Sequence, residues 1–239
     1  MLCGSGALPP SLDGWHLEPK WDGVRAIVTC HEGRLAATSR LGNDVTDAYP
    51  ELAGLPSRLG VEAVLDGEIV ALDGMGRSSF ERLQRRMHVR RPPPELVAEI
   101  PVQLIVFDLL WLEGELLVRL PQAVRRERLE ALGAAVATTP LLRADEGPDA
   151  LLADCKAVGF EGFVAKKKDA PYSPGRRSAC WTKVKAVCRR ELVVGAGSRA
   201  EGAGGAASAR WPSGGSTPAT GPPGRTGPAS AGRARSARA

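Results

Sequence analysis

Cysteine is scarce in this 239-residue chain, and what there is lacks a pattern. The five cysteines (Cys3, Cys30, Cys155, Cys180, Cys188) are odd in number, scattered and never spaced Cys-x-x-Cys. That spacing argues against a disulfide framework and a thiolate zinc site, and leaves reduced, mostly structural thiols. The three histidines (His16, His31, His88) show no metal-ligand spacing. No apolar run approaches the about 20 residues that cross a bilayer. Residues 1–5 carry neither a basic segment nor the start of a long apolar core, so no signal peptide is read and the cytoplasm is the expected compartment. Internal repeats are also missing.

The last stretch lacks more. After Val194 no Val, Leu, Ile, Phe or Met occurs, and Gly, Ala, Ser, Pro and Arg make up nearly all of it. Such a composition buries too little apolar surface to fold, so residues 196–239 are expected to be a disordered tail. Six arginines and one acid (Glu201) place the whole net charge of +5 in that tail. The basic pI therefore does not describe a basic domain, and nucleic-acid binding by residues 1–195 would need local clustering of positive charge.

What is present reads as interleaved strands and helices. Residues 15–39 form two or three strands around the turn His31-Glu32-Gly33, residues 61–72 a further strand ending in the hairpin signal Asp73-Gly74, and residues 102–110 the most apolar strand. Helices are expected over 79–87, capped by Ser78 or Ser79, over 121–132 between Pro121 and Gly133, and over 148–158; a short one starts near Tyr49. Residues 91–94 read as a loop. Strands close the pattern at 163–166 and 181–187. Hairpin turns outnumber crossovers, which predicts an α+β fold with antiparallel sheets.

The chain is organised around Glu18-Pro19-Lys20-Trp21-Asp22-Gly23-Val24-Arg25. A lysine ending one extended segment, with the chain returning through Asp-Gly, puts an amine at a sheet edge. That amine is a nucleophile only without its proton, which desolvation or nearby cations favour. Asp22 could orient it, and Arg25 could hold a phosphate or a ribose hydroxyl. Alone, the segment reads first as an ordinary strand-turn-strand with surface charges, since short motifs match by accident.

Lys20-x-Asp22-Gly23-x-Arg25 resembles the active-site signature of the covalent nucleotidyltransferases: ATP-dependent DNA ligases, RNA ligases and capping enzymes. Its flanks resemble bacterial ATP-dependent DNA ligases, including the ligase domains of end-joining repair enzymes. Further segments follow in the family's order: Ser39-Arg40-Leu41-Gly42, Asp66-Gly67-Glu68-Ile69, Phe107-Asp108-Leu109, Glu161-Gly162-Phe163-Val164-Ala165-Lys166 and Trp181-Thr182-Lys183-Val184-Lys185.

The resemblance implies an ATP-grasp-like adenylylation (nucleotidyltransferase) domain of antiparallel sheets with flanking helices over residues 1–190. Lys20 would take AMP from ATP as a phosphoramidate, pass it to the 5′-phosphate of a nick in double-stranded DNA, and a 3′-hydroxyl would then seal the strand. Glu18 would read the adenine edge, Phe107 cover its face, and Arg40 contact nucleotide or DNA. Lys166, Lys183 and Lys185 would meet phosphate. Glu68 and Glu161 would hold Mg²⁺, with Mn²⁺ as the alternative ion, and Glu68 could also hold ribose hydroxyls. Asp66, on the same strand face as Glu68, is the weaker candidate.

Glu161 and Lys166 are five apart, so a regular strand points them to opposite faces. The match asks for a kink, with Gly162 as its place. Residues 191–195 (Glu-Leu-Val-Val-Gly) resemble the first strand of the family's oligonucleotide-binding barrel, whose remainder is not recognisable beyond them. Truncation or a shifted reading frame is the expectation. The working unit is expected to be a monomer in DNA repair or recombination. An RNA ligase or capping-type enzyme, or a remnant that only binds nucleotide or nucleic acid, are the alternatives.

Overall fold

The computed structural model describes residues 1–4 and 11–186. The expected barrel strand at 191–195, the tail at 196–239 and the end of the last expected strand lie outside the described residues. Among those described, two sheets carry the fold. The larger has strand order β4-β3-β5-β6-β7, built from β3 (Val24–His31), β4 (Arg34–Ser39), β5 (Ala63–Ala71), β6 (Val102–Leu112) and β7 (Glu115–Leu116), with β8 (Ala137–Thr138) pairing β6. The smaller has order β1-β10-β9-β2, from β1 (Leu2–Gly4), β2 (Trp15–Pro19), β9 (Gly162–Lys167) and β10 (Arg177–Lys185).

Pairing is antiparallel except for β1 with β10 and β6 with β8. The expected antiparallel α+β fold holds with those two additions. Asp73-Gly74 does turn the chain back, but onto a single bridge between Leu72 and Ser78 rather than a second strand. The returning segment then enters α2 (Phe80–Gln84), capped by the Ser79 side chain on the Arg82 amide. α1 (Leu55–Leu59) and α3 (Pro94–Glu99) are too short for a readable period, and each begins at a proline-marked turn.

α4 (Gln122–Ala131) and α5 (Pro148–Ala157) match their expected spans closely. α4 buries Gln122, Arg125, Arg126 and Leu129, the i, i+3, i+4, i+7 face of a helix. Three of the four are polar, so each needs a partner inside the fold. The main core lies on the large sheet, around Ala26, Val28, Leu65, Ile69, Val106 and Leu109. A smaller one, around Leu17, Leu151, Phe163 and Ala165, joins α5 to the small sheet. The faces of the two sheets that do not belong to these cores carry the functional residues.

Candidate active site

The small sheet sets the first wall. β2 and β10 both pair with β9, with Glu18 and Lys183 opposite Val164 and Trp181 opposite Lys166. Cross-strand partners share a face, so Glu18, Val164, Lys166, Trp181 and Lys183 point to one side. Phe163, Ala165 and Leu17 point into the core on the other. Lys20 follows β2 and stays in register because its amide donates to the Gly162 carbonyl (2.9 Å).

Gly162 supplies the kink. Its φ is +141°, and a Cβ there would sit 2.0 Å from the Val184 carbonyl oxygen. Only glycine tolerates that backbone and that approach. The bend lets Glu161 reach Lys20 while Lys166 keeps the inward position of a regular strand.

The large sheet sets the second wall. β3 brings Arg25 opposite Glu68 on β5. Gly23, which starts the return from Lys20, passes so close to β5 that a Cβ would lie 2.3 Å from the Ile69 carbonyl oxygen. On β6 the ladder pairs Asp108 with Asp66 and Val106 with Gly67, leaving Phe107 as the extra residue of a β-bulge. The bulge re-aims that ring, so Phe107 serves the cleft instead of being an ordinary core side chain. Glu18, Lys20, Arg25, Glu68, Phe107 and Lys166 line one cleft with a cavity of about 140 Å³.

Its charges are already paired with one another. Glu161 holds both Lys20 and Lys185. The Glu161 carboxyl is pushed up by partial burial, but the Lys185 and Lys20 ammoniums win and lower it below the usual range. The carboxylate on Lys20 is thus Glu161 rather than Asp22, the expected orienting group. Asp22 is held above its usual range by burial and then by the Glu161 charge. The two lysines at 183 and 185 were expected to need an anion; for Lys185 that anion is Glu161.

Deeper in, Glu18 Oε2 lies 2.7 Å from Lys166 Nζ, and Glu18 Oε1 lies 3.6 Å from an Arg126 nitrogen of α4. Lys166 also donates to the Phe107 carbonyl (2.7 Å), and its ammonium sits 4.6 Å from the Phe107 ring centroid and 4.3 Å from that of Trp181. Burial pushes the Glu18 carboxyl up, against the pull of Lys166. Burial pushes Glu68 up to about 8, with Lys20 and Arg25 only partly opposing it.

Arg25 forks onto Asp66 at 2.9 and 2.6 Å. Asp66 is therefore the anchor of Arg25, not a ligand-facing acid. Arg40 is exposed and lines a separate depression with Ser39 and Tyr172, which shares Arg25 with the cleft. Sequence reasoning missed Arg126, Tyr172, Trp21 and Trp181. Trp181 stands inside a recognised motif and could have been found there. Trp21, beside the lysine, donates to Thr139 Oγ1 at 2.9 Å. Tyr172 and Arg126 belong to no pattern in the chain.

Residues 10–185 match the family described as the ATP dependent DNA ligase domain. The chain belongs to the ATP-dependent DNA ligase domain family. It is 40% identical over 191 residues to the multifunctional non-homologous end joining protein LigD of Mycolicibacterium smegmatis, covering 79% of this chain and 24% of that protein. It is 37% identical over 193 residues to DNA ligase 1 of Korarchaeum cryptofilum, covering 78% of this chain and 35% of the other. Among solved structures, mycobacterial DNA ligase D complexed with ATP and MES aligns with a TM-score of 0.67 at 37% identity, covering 77% of this chain and 58% of that one. The ligase-domain chain thus spans only about a quarter to a third of the relatives' length.

In this DNA ligase domain the expected metal ligands, Glu68 and Glu161, flank Lys20 from the two walls of the cleft. They are hard oxygen donors of the kind Mg²⁺ takes, singly or in pairs, together with substrate phosphates. No group of three or more potential ligands gathers among the described residues. The donors thus fit an ion completed by phosphate and water, not a closed protein cage. Also among the described residues, no helix is long and apolar enough to cross a membrane.

Proposed function

We propose that this chain carries the adenylylation chemistry of an ATP-dependent DNA ligase. One observation supports it most: Lys20, the lysine of the ligase signature, stands at the edge of a cleft walled by Phe107, Glu18, Arg25 and Lys166, and is held there by Glu161. Phe107 covers the adenine, a contact of the stacking kind that is worth about 1–3 kcal/mol per base. Glu18 faces the purine edge. Lys166, Lys183 and Lys185 take phosphate oxygens, and Arg25 a ribose hydroxyl or phosphate.

Lys20 leaves its pair with Glu161, gives up its ammonium proton to water, and attacks the α-phosphorus of ATP in line; the N–P bond forms as the bond to pyrophosphate breaks. Phosphate entering the site competes for Lys166 and Lys185 and thereby frees Glu18 and Glu161. Glu68 and Glu161 would hold Mg²⁺ or Mn²⁺, which would supply charge neutralisation on the phosphates. Lys20-AMP then passes AMP to the 5′-phosphate of a nick in DNA, and the 3′-hydroxyl displaces it. Arg40, outside the cleft, is placed to meet the nucleic acid. The cleft is built within one copy of the chain, and the working unit is a monomer.

The test is covalent labelling. The chain is incubated with α-labelled ATP and Mg²⁺ or Mn²⁺, denatured, and compared with Lys20→Ala. Label that survives denaturation and disappears in Lys20→Ala is the expected result. A folded, ATP-binding chain that takes no label in either metal refutes the adenylylation step.

A further inference from the structure

Tyr172 lies in the loop between β9 and β10, outside every motif of the cleft, yet its hydroxyl reaches the guanidinium in the cleft wall. Three groups close a ring. Arg25 donates from Nε to Asp66 Oδ1 (2.9 Å) and from Nη2 to Asp66 Oδ2 (2.6 Å). Arg25 Nη2 also donates to the Tyr172 hydroxyl (3.2 Å), and that hydroxyl donates to Asp66 Oδ2 (2.8 Å). Asp66 is fully buried and Tyr172 nearly so, so water does not replace a missing member.

The Tyr172 ring is fixed in turn. Trp181 meets it edge-on with centroids 5.7 Å apart, and the Arg125 guanidinium lies 5.7 Å over its centroid. Arg25 has five N–H donors in a rigid fork. The ring uses Nε and Nη2, and Nη1 has no partner among the described residues. Arg25 lines both the nucleotide cleft and the depression that holds Arg40. The unused Nη1 edge is what the guanidinium has left to offer a ligand. Without the tyrosine hydroxyl, the second Nη2 hydrogen loses its acceptor, and the fork is free to tilt about the carboxylate.

We propose that Tyr172 is a positioning residue of the cleft, fixing the Arg25 guanidinium so that its Nη1 edge meets a hydroxyl or phosphate of the bound nucleotide. The proposal rests on the adenylylation reading for the identity of the occupant.

The test uses the full chain and Tyr172→Phe, which deletes one oxygen. Calorimetry measures binding of ATP, 2′-deoxy-ATP, 3′-deoxy-ATP and adenosine, with melting temperatures alongside. ATP affinity is expected to fall by about tenfold, the scale of one charge-assisted hydrogen bond. The loss is expected to vanish for whichever analogue lacks the group that Arg25 meets. Arg25→Lys, which keeps the charge but not the fork, should show the same ligand pattern, and adding Tyr172→Phe to it should cost nothing more.

Unchanged ATP affinity in Tyr172→Phe overturns the proposal. So does a loss of equal size on all four ligands, which marks a merely structural role, or losses that multiply in the double variant. A wild-type chain that binds ATP without labelling Lys20 refutes the adenylylation reading but leaves this comparison intact. One that binds no ATP overturns both.

Discussion

Two arginine–aspartate forks lie next to each other in this domain and have opposite employment. Asp66 on β5 and Asp108 on β6 are ladder partners; each is buried and each is gripped through both oxygens by one guanidinium. Arg125, from α4, binds Asp108 at 2.8 Å twice and turns its Nη1 edge onto the carbonyls of Leu120 and Ala170; it is fully buried. Arg25 binds Asp66 in the same way but keeps 19% of its side chain exposed and one edge unspent. The first fork ties a helix to a sheet. The second has the same chemistry and the leftover donor that a binding site needs. A buried ion pair by itself therefore says little about function; the donors that remain after pairing say more.

Breaking the two forks separately sharpens that contrast. The largest effect on stability is expected from Arg125→Met. It leaves the Asp108 carboxylate buried with the Leu109 amide as its remaining donor, a loss on the order of 3–5 kcal/mol. For a domain of this size that lowers the melting midpoint by roughly ten degrees, as circular dichroism would show. The effect of Arg25→Met on stability should be smaller, about half, because Arg25 is partly exposed where Arg125 is fully buried. ATP binding, however, should be lost in that variant. Equal melting losses with equal ATP affinity would erase the distinction.

The smallest effect concerns the cleft carboxylate that has no guanidinium fork at all. Burial, more than any charge, raises Glu68 to about 8 in the folded chain, from an ordinary value of 4.5. The folded state then binds more protons than the unfolded state between those values, so this group's contribution to stability is present below about 4.5 and is lost as pH rises towards 8. Relative to wild type, Glu68→Gln should gain a few degrees of melting temperature across that window and nothing below it. Parallel melting curves at every pH would show that Glu68 is not held protonated.

Much of the cleft was legible because motif residues carry their chemistry with them. Lys20, Glu18, Arg25, Glu68, Phe107 and Lys166 converge on one cavity, and the tension between Glu161 and Lys166 pointed to the bend at Gly162. α4 shows where reading by pattern stops. Its ends were marked by Pro121 and Gly133, but its buried face is Gln122, Arg125 and Arg126, which hydropathy assigns to solvent. These polar groups are inside because His16, Asp108 and Glu18 wait for them there. Two of these partners lie on β2 and the third on β6. Arg40, expected on nucleotide or DNA, lines a depression beside the cleft, and the sequence could not choose between those partners for a related reason: a turn-rich loop fixes no direction until the sheet beneath it is built.

The linear chain by itself determined which chemical groups are available and roughly where strands and helices begin, because side-chain identity, turn residues and hydrophobic period are local properties. Only the tertiary structure decided which cation meets which carboxylate. Lys20 and Glu161 are 141 residues apart, and Tyr172 lies 106 residues beyond Asp66. Electrostatic pairing depends on distances of a few ångströms across two sheets, and those are set by ladder register, the Phe107 bulge and the close approach at Gly23 and Gly162.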